Sequence, residues 1–213
     1  MTMQHEHHAD HGDTEYTQEF WDERYGSADR IWSDRPNAQL VAQVADLPPG
    51  EALDVGSGEG ADAIWLASRG WKVTAVDVSA VALDRAARAA EAQGVTITWE
   101  QRDMLSWDPG AARFDLVSAQ FMHLPLAAQE SMHARLATAV RPGGTLLIVG
   151  HLHSELHAHI APRFRPAEDI AASLDPADWQ VLVATSFERQ ATGQDGEHVT
   201  ITDSVLRAVR RRS

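Results

Sequence analysis

Leu53-Asp54-Val55-Gly56-Ser57-Gly58-Glu59-Gly60 is the stretch whose reading decides the fold. A short apolar run carries an acid near its end, and three glycines follow at alternate positions. Ala61-Asp62-Ala63-Ile64-Trp65-Leu66-Ala67 then reads as the opening of a helix. A strand that turns through glycines into a helix gathers backbone N–H groups and a positive helix end at one point. Glycine suits such a turn because positive φ costs it little and no Cβ holds a ligand off. Residues 51–62 therefore read as a nucleotide-type binding loop.

Outward from this loop, strands alternate with helices. Strands are expected at 51–55, 72–77, 95–101, 114–119 and 145–151. Helices are expected at 79–93, ended by Gly94, and at 126–140, with the tight turn Arg141-Pro142-Gly143-Gly144 before the fifth strand. Repeated β-α-β with continuous apolar strands implies a parallel sheet covered on both faces. A short helix at 167–174 follows, and runs 180–188 and 198–207 are joined by a hairpin-like loop at 192–196. Ahead of the core, Thr14 is placed as the cap of a helix through Tyr25, and Pro36 as the opening of a second helix to Ala45. Trp65 is assigned to the core. The expected fold is α/β: a Rossmann-like three-layer sandwich on a mostly parallel seven-stranded sheet ending in an antiparallel hairpin. Residues 14–209 form one domain, with lid helices at 14–46 and the core at 51–209. The His-rich leader 1–13 and the basic stretch 210–213 are read as solvated tails.

Composition narrows the partners. The 213 residues carry a formal net charge of −13, which argues against a nucleic-acid backbone or an anionic membrane. With no cysteine there is no disulfide, thiolate nucleophile or Cys-held metal. No run approaches membrane-spanning length. The expectation is a cytoplasmic protein, monomer or homodimer, with a small-molecule partner.

The glycines alone leave the nucleotide open, since Gly56-x-Gly58-x-x-Ala61 also fits the dinucleotide fingerprint. Asp77, at the end of the second strand, suits ribose hydroxyls in either class. Asp54 tilts the choice: a carboxylate inside the first strand's end would crowd a pyrophosphate but suits a cationic cofactor. The hairpin finish and the short remaining chain also leave no second mononucleotide half and no separate substrate domain.

Taken together, Asp54-Val-Gly56-Ser-Gly58-Glu-Gly60, Asp77, Arg102-Asp103-Met104 and Arg141-Pro-Gly-Gly144 resemble, in order and spacing, the motifs of class I S-adenosylmethionine-dependent methyltransferases. The likeness covers roughly residues 14–209. Phe20-Trp21-Asp22-Glu23-Arg24-Tyr25 and Trp32…Pro36-Asn37 further resemble the small-molecule branch, which includes tellurite-resistance and thiopurine methyltransferase-like enzymes. The resemblance implies S-adenosyl-L-methionine as cofactor and in-line methyl transfer to a small O, S, N or chalcogen acceptor. It implies that Asp54, Gly56, Ser57 and Gly58 line the methionine end and that Asp77 takes the ribose hydroxyls. Val78 would pack on the adenine, Asp103 accept from its amino group, and Met104 offer an N–H and an apolar face. Gln120 would stand near the methionine moiety. Tyr25, Trp32, Arg35, Asn37 and Phe121 would form the lid and acceptor side.

Two histidines are candidate bases, because imidazole takes a proton near neutral pH. His123 follows the fourth strand, where it competes with a helix-capping role, and His151 ends the fifth. Downstream, His153, Glu155 and His157 read as an acceptor-lining or solvated loop, with no metal assigned and a metal held by His153 and His157 as the alternative. Two other functions stand beside the methyltransferase: a non-catalytic sensor that keeps the cofactor pocket or a metal, and, more remotely, an NAD(P)-dependent oxidoreductase.

Overall fold

A computed structural model describes residues 17–122, 124–154, 163–192 and 198–212. The elements run α1 (Gln18–Gly26), α2 (Ala38–Val44), β1 (Glu51–Val55), α3 (Ala61–Ser68), β2 (Lys72–Asp77), α4 (Ala80–Ala92), β3 (Thr98–Gln101) and β4 (Phe114–Gln120). They continue with α5 (Leu126–Ala139), β5 (Val140–Ser154), α6 (Ala167–Ala172), β6 (Trp179–Thr192) and β7 (His198–Arg210). The seven strands form one sheet in the order β3-β2-β1-β4-β5-β7-β6. Ladders through β5 are parallel and the last two are antiparallel, as expected for the α/β sandwich with a closing hairpin.

Strand side chains alternate across the sheet, and here both faces are dry. Leu53, Val117 and Leu146 pack on one side with Met132 and Leu136 of α5 and Ile170 of α6. Their neighbours Ala52, Leu116 and Leu147 pack on the other with Leu40 and Val44 of α2 and Leu66 of α3. Apolar pairs in the strands are therefore needed on both sides. Trp65 is half-buried at the edge of the second cluster, with the Arg69 guanidinium 5.3 Å from its ring centre.

Several boundaries move for local reasons. Thr17 caps α1, its hydroxyl accepting from Phe20 N–H, and Thr14 lies outside the described residues. Asn37 caps α2 by accepting from Gln39 N–H, so Pro36 stands before the cap and does not open the helix. β3 starts at Thr98 because the preceding residues finish α4: Gly94 (φ +68°) donates to Glu91 C=O and Val95 to Ala90 C=O. That is the Schellman ending, and it takes Val95 out of the ladder. The Arg141–Gly144 turn is a bulge within β5, between the pairings Phe114↔Val140 and Leu116↔Thr145.

Of the basic stretch, Arg211 and Arg212 are exposed but its start is tied to the sheet. Arg210 belongs to β7 and donates to Val140 C=O, and Arg211 N–H donates to Asp178 C=O. The leader 1–13 and the loop 193–197 lie outside the described residues. Among the described residues no helix is long and apolar enough to cross a membrane.

Sheet order reverses between β1 and β4, and such a reversal opens a crevice at the carboxyl ends of the strands. The glycine loop leaves β1 at that point and Gln120–Met122 leave β4 there.

Candidate functional site

The glycine loop is pinned to the next strand. Gly56 and Ser57 N–H both donate to Val76 C=O, and Gly58 N–H donates to Asp77 Oδ2 at 2.8 Å. Gly56, Gly58 and Gly60 take φ of 69°, 52° and 85°, a region closed to most side chains. A Cβ on Gly56 would collide with Met122 Sδ, and one on Gly58 would stand 2.9 Å from Tyr25 Oη. The backbone is thus bare where the β4 end and the N-terminal segment close on it.

Three acids share this point. Burial, reinforced by Asp62 and Asp77, pushes the Asp54 carboxyl well above the usual range. Burial lifts Asp62 to about 6, against the hydrogen bond from Asn37 N–H. It also lifts Asp77, against donations from Ser79 and Gly58 N–H. Among the described residues no arginine, lysine or histidine is salt-bridged to any of the three. Asp54 Oδ2 and Ser57 Oγ are buried without a hydrogen-bond partner. Orphaned acceptors beside like charges are satisfied by a ligand that brings N–H or O–H donors and positive charge. The residues present therefore fit a cationic, polar cofactor.

The acids also make a testable pH dependence. A carboxyl bound more tightly by its proton in the folded chain costs stability as pH rises from its unfolded to its folded value, here from 3.8 to about 6 for Asp62. Asp62→Asn removes that cost. Its stability relative to the wild type is expected to improve by roughly 2–3 kcal/mol between pH 4 and pH 7.5. Urea unfolding of both proteins at the two pH values measures it, and a pH-independent difference would disprove it. His133 acts in the opposite sense, since burial and nearby Arg165 push it down to about 4, but it is common to both proteins and cancels.

The N-terminal segment is latched over the loop. Glu59 Oε2 accepts from Ile31 and Trp32 N–H, both at 3.0 Å, while Oε1 pairs with Arg85. Burial opposes the Glu59 charge, yet these donors hold its carboxyl below the ordinary range. Asp22 on α1 accepts from Ser79 Oγ and Val81 N–H on the far side of Asp77. Trp32 Nε1 donates to Tyr25 Oη at 2.9 Å, and burial with the Asp77 charge raises the buried Tyr25 phenol. Asn37 Nδ2 reaches Gln120 Oε1 at 2.9 Å, joining α2 to the end of β4.

Tyr25, Trp32, Asn37, Gln120, Asp54, Gly56, Ser57, Gly58 and Asp77 are thereby brought together. Others are not. Arg35 is exposed and only its backbone N–H is engaged, by Ser33 Oγ. Asp103 is exposed and caps its own turn by accepting from Leu105 N–H. Met104 is buried in the core, so its side chain offers no exposed apolar face. Val78 is half-buried beside Asp77, its C=O accepting from Gln101. Phe121 takes φ +56° and stacks on His151 with ring centres 4.4 Å apart. His123, His157 and Glu155 lie outside the described residues, as does the side chain of His153. Among the described residues no group of three or more His, Asp or Glu side chains is placed to hold a metal.

Sequence reading missed Glu59, Asp62, Asp22 and Met122. Their partners are up to dozens of residues away, and only Asp62, an acid in a helix's first turn, carried a local signal. A cleft of about 380 Å³ between Arg30 and Arg88 is lined by Asp29, Glu59 of the glycine loop, and Arg85 and Ala89 of α4.

Residues 52–144 match the family model for a methyltransferase domain. Over 117 residues the chain is 33% identical to trans-aconitate 2-methyltransferase of Rhizobium meliloti (strain 1021), covering 54% of this chain and 43% of that protein. It is likewise 33% identical over 124 residues to tRNA 5-carboxymethoxyuridine methyltransferase of Escherichia coli (strain K12), covering 56% and 46%. The chain thus matches less than half the length of these relatives. By structure, the chain is similar to the N-methyltransferase NodS from Bradyrhizobium japonicum WM9 in complex with S-adenosyl-L-homocysteine. The TM-score is 0.69 at 20% identity, over 93% of this chain and 100% of that one, which is a likeness of fold.

Proposed function

We propose that the protein is an S-adenosyl-L-methionine-dependent methyltransferase that acts on a small molecule. The observation that carries this is the group of buried Asp54 and Asp77 with half-buried Asp62 around the bare glycine loop, none of them salt-bridged among the described residues, with Asp54 Oδ2 and Ser57 Oγ left as acceptors. Asp54 and Ser57 receive the amino-acid end of the cofactor, and Asp77 the ribose. Val78 and the Met104 N–H border the nucleobase, with Asp103 at its rim. When bound, the cofactor supplies a methyl group on a positively charged sulfur. The chain's own task is then to align the acceptor and exclude water, and orientation of this kind supplies several kcal/mol of a displacement barrier. Tyr25, Trp32 and Asn37 form the cover that does so.

A small acceptor is favoured over a nucleic acid by the net charge of −13. Gln120-Phe121-Met122-His123 also stands where nucleic-acid methyltransferases carry an Asn-Pro-Pro-aromatic segment. One relative is named for a tRNA substrate, so the test includes an RNA arm. The small-molecule branch, a cytoplasmic location and a monomeric or homodimeric state belong to the same proposal.

Melting curves with S-adenosylhomocysteine decide the cofactor. A ligand that binds only the folded chain stabilises it by RT ln(1 + [L]/Kd), about 2.7 kcal/mol at a hundredfold excess over Kd. The midpoint should climb with each tenfold step in ligand, and a flat response at millimolar ligand would refute the reading. Release of demethylated cofactor with organic acids, phenols, thiols and amines, but not with bulk tRNA, is expected from the acceptor assignment.

A further inference from the structure

A narrow cavity of about 20 Å³ is lined by Met122, Gln129, His133, His151, Arg163 and Arg165. That volume admits about one water-sized group. Met122 is the same side chain that abuts Gly56, so the cavity borders the glycine loop. Gln129 and His133 stand one turn apart on α5 and share a face. Arg165 comes from the other wall. It precedes Pro166, the cap of α6, and a proline restricts the residue before it to extended backbone.

The lining holds two arginines and no acid. Asp203 stands close by, with Oδ1 3.2 Å from His151 Nδ1, but its other oxygen accepts from Arg189 Nε at 2.6 Å, so its charge is matched from β6. Arg163 has contacts of its own, and its C=O accepts from Gln129 Nε2. Arg165 differs. Its side chain is only 14% exposed, and among the described residues its ion pair is one 3.3 Å approach to Glu130, whose side chain is 65% exposed. A pairing with so solvated a carboxylate contributes little. Burial and the Arg165 charge push His133 down to about 4, so its buried ring is neutral at pH 7 and carries one N–H. His133 Nδ1 is buried without a hydrogen-bond partner. A water satisfies such a nitrogen, yet it leaves the guanidinium charge unmatched.

We propose that this cavity is the anchoring subsite for a carboxylate carried by the methyl acceptor, with Arg165 donating to one oxygen and the His133 ring N–H to the other. This rests on the methyltransferase reading and names its substrate class: an organic acid that is methylated at a different atom. A carboxylate offers two acceptors in one plane and the charge that a guanidinium matches best. It is also flat and small, where a tetrahedral phosphate is bulkier than the space. On a chain of net charge −13 the general field repels acids, so a local cation at the crevice is what admits one. An oxygen tied to Arg165 is an anchor, and the methyl group goes to an atom left free in the crevice.

Isothermal titration of the full chain at pH 7.5, with saturating S-adenosylhomocysteine, compares benzoate with benzamide, which has nearly the same shape and no charge. Benzoate is expected to bind about tenfold more tightly or better. Arg165→Gln should bring the two within about threefold of each other. Glu130→Gln removes the competing carboxylate on the solvent side, so it should tighten benzoate severalfold and leave benzamide alone. Equal binding of the two by the wild type, a preference that survives in folded Arg165→Gln, or unchanged benzoate affinity in Glu130→Gln would each overturn the proposal. Inorganic phosphate that displaces benzoate at equal concentration would overturn the carboxylate assignment. The melting response to S-adenosylhomocysteine shows that each variant is folded. Should Arg165→Gln fail to fold, the wild type and Glu130→Gln, changed at an exposed position, decide. A wild type that responds to S-adenosylhomocysteine but not to benzoate counts against the subsite alone. One whose melting ignores S-adenosylhomocysteine counts against the methyltransferase reading itself.

Discussion

Asp77→Ala is expected to remove the melting response to S-adenosylhomocysteine, with affinity lost by about 100-fold or more. Asp77 is nearly buried, and each oxygen already accepts one backbone N–H: Ser79 on Oδ1 and Gly58 on Oδ2. A carboxylate oxygen has a second lone pair, so both can still accept from a pair of ribose hydroxyls. Hydrogen bonds to a charged acceptor contribute roughly 1.5–3 kcal/mol each, and two lost together exceed the 1.4 kcal/mol that makes a factor of ten. The deletion also strands two N–H groups, so the ligand-free chain should melt lower as well. Isothermal titration separates the effects, because it reads affinity on the folded population. Retained affinity within threefold would show that Asp77 serves only to pin the loop. Asp77→Asn is a poor conservative control, since its NH2 would face a backbone N–H.

Gly60→Ala should damage the fold more than the chemistry. Gly60 sits at φ +85°, where an alanine is strained by about 1–2 kcal/mol. An added Cβ would also lie 2.8 Å from Ala86 Cβ and 2.9 Å from the Trp99 ring, parts of α4 and β3 that cannot rotate away. Overpacking of that kind costs a further 1–3 kcal/mol, for a total of roughly 2–5 kcal/mol. Gly56→Ala, at φ +69°, carries similar backbone strain but meets only the flexible side chain of Met122, so it lacks the overpacking cost and its further effect should fall on ligand binding. Denaturant midpoints for the two variants should therefore differ, Gly60→Ala falling well below Gly56→Ala. Equal midpoints would mean that α4 gives way to the methyl group.

The strand-loop-helix unit, the parallel sheet and the closing hairpin were legible because their signals are local. Apolar runs of five to seven residues, glycines at a turn and alanine-rich periodicity each span less than a dozen positions. Asp54 and Asp77 were legible for the same reason, being acids fixed at strand ends by the register of the chain. Asp103 and Met104 were assigned through the family resemblance. The structure turns the first into the cap of its own turn and sinks the second into the core, because a loop's side-chain direction depends on what packs beneath it. Arg35 entered a pocket on paper and stands exposed.

By itself, the sequence determined the architecture and two of the acids at the glycine loop, Asp54 and Asp77, since backbone geometry and side-chain alternation follow from neighbours along the chain. Only the tertiary structure decided that Glu59 and Asp22 latch the N-terminal segment over that loop. It alone brought Asp203 and Arg189 behind His151. Those partners are 14 to 57 positions apart in the chain, and their encounter depends on strand register and helix packing, which no local pattern carries. For residues 53–60, the sequence marked a loop that binds a nucleotide. Folding set three acids around it with no salt bridge to any of them among the described residues, and their burial is what makes the loop call for a cation.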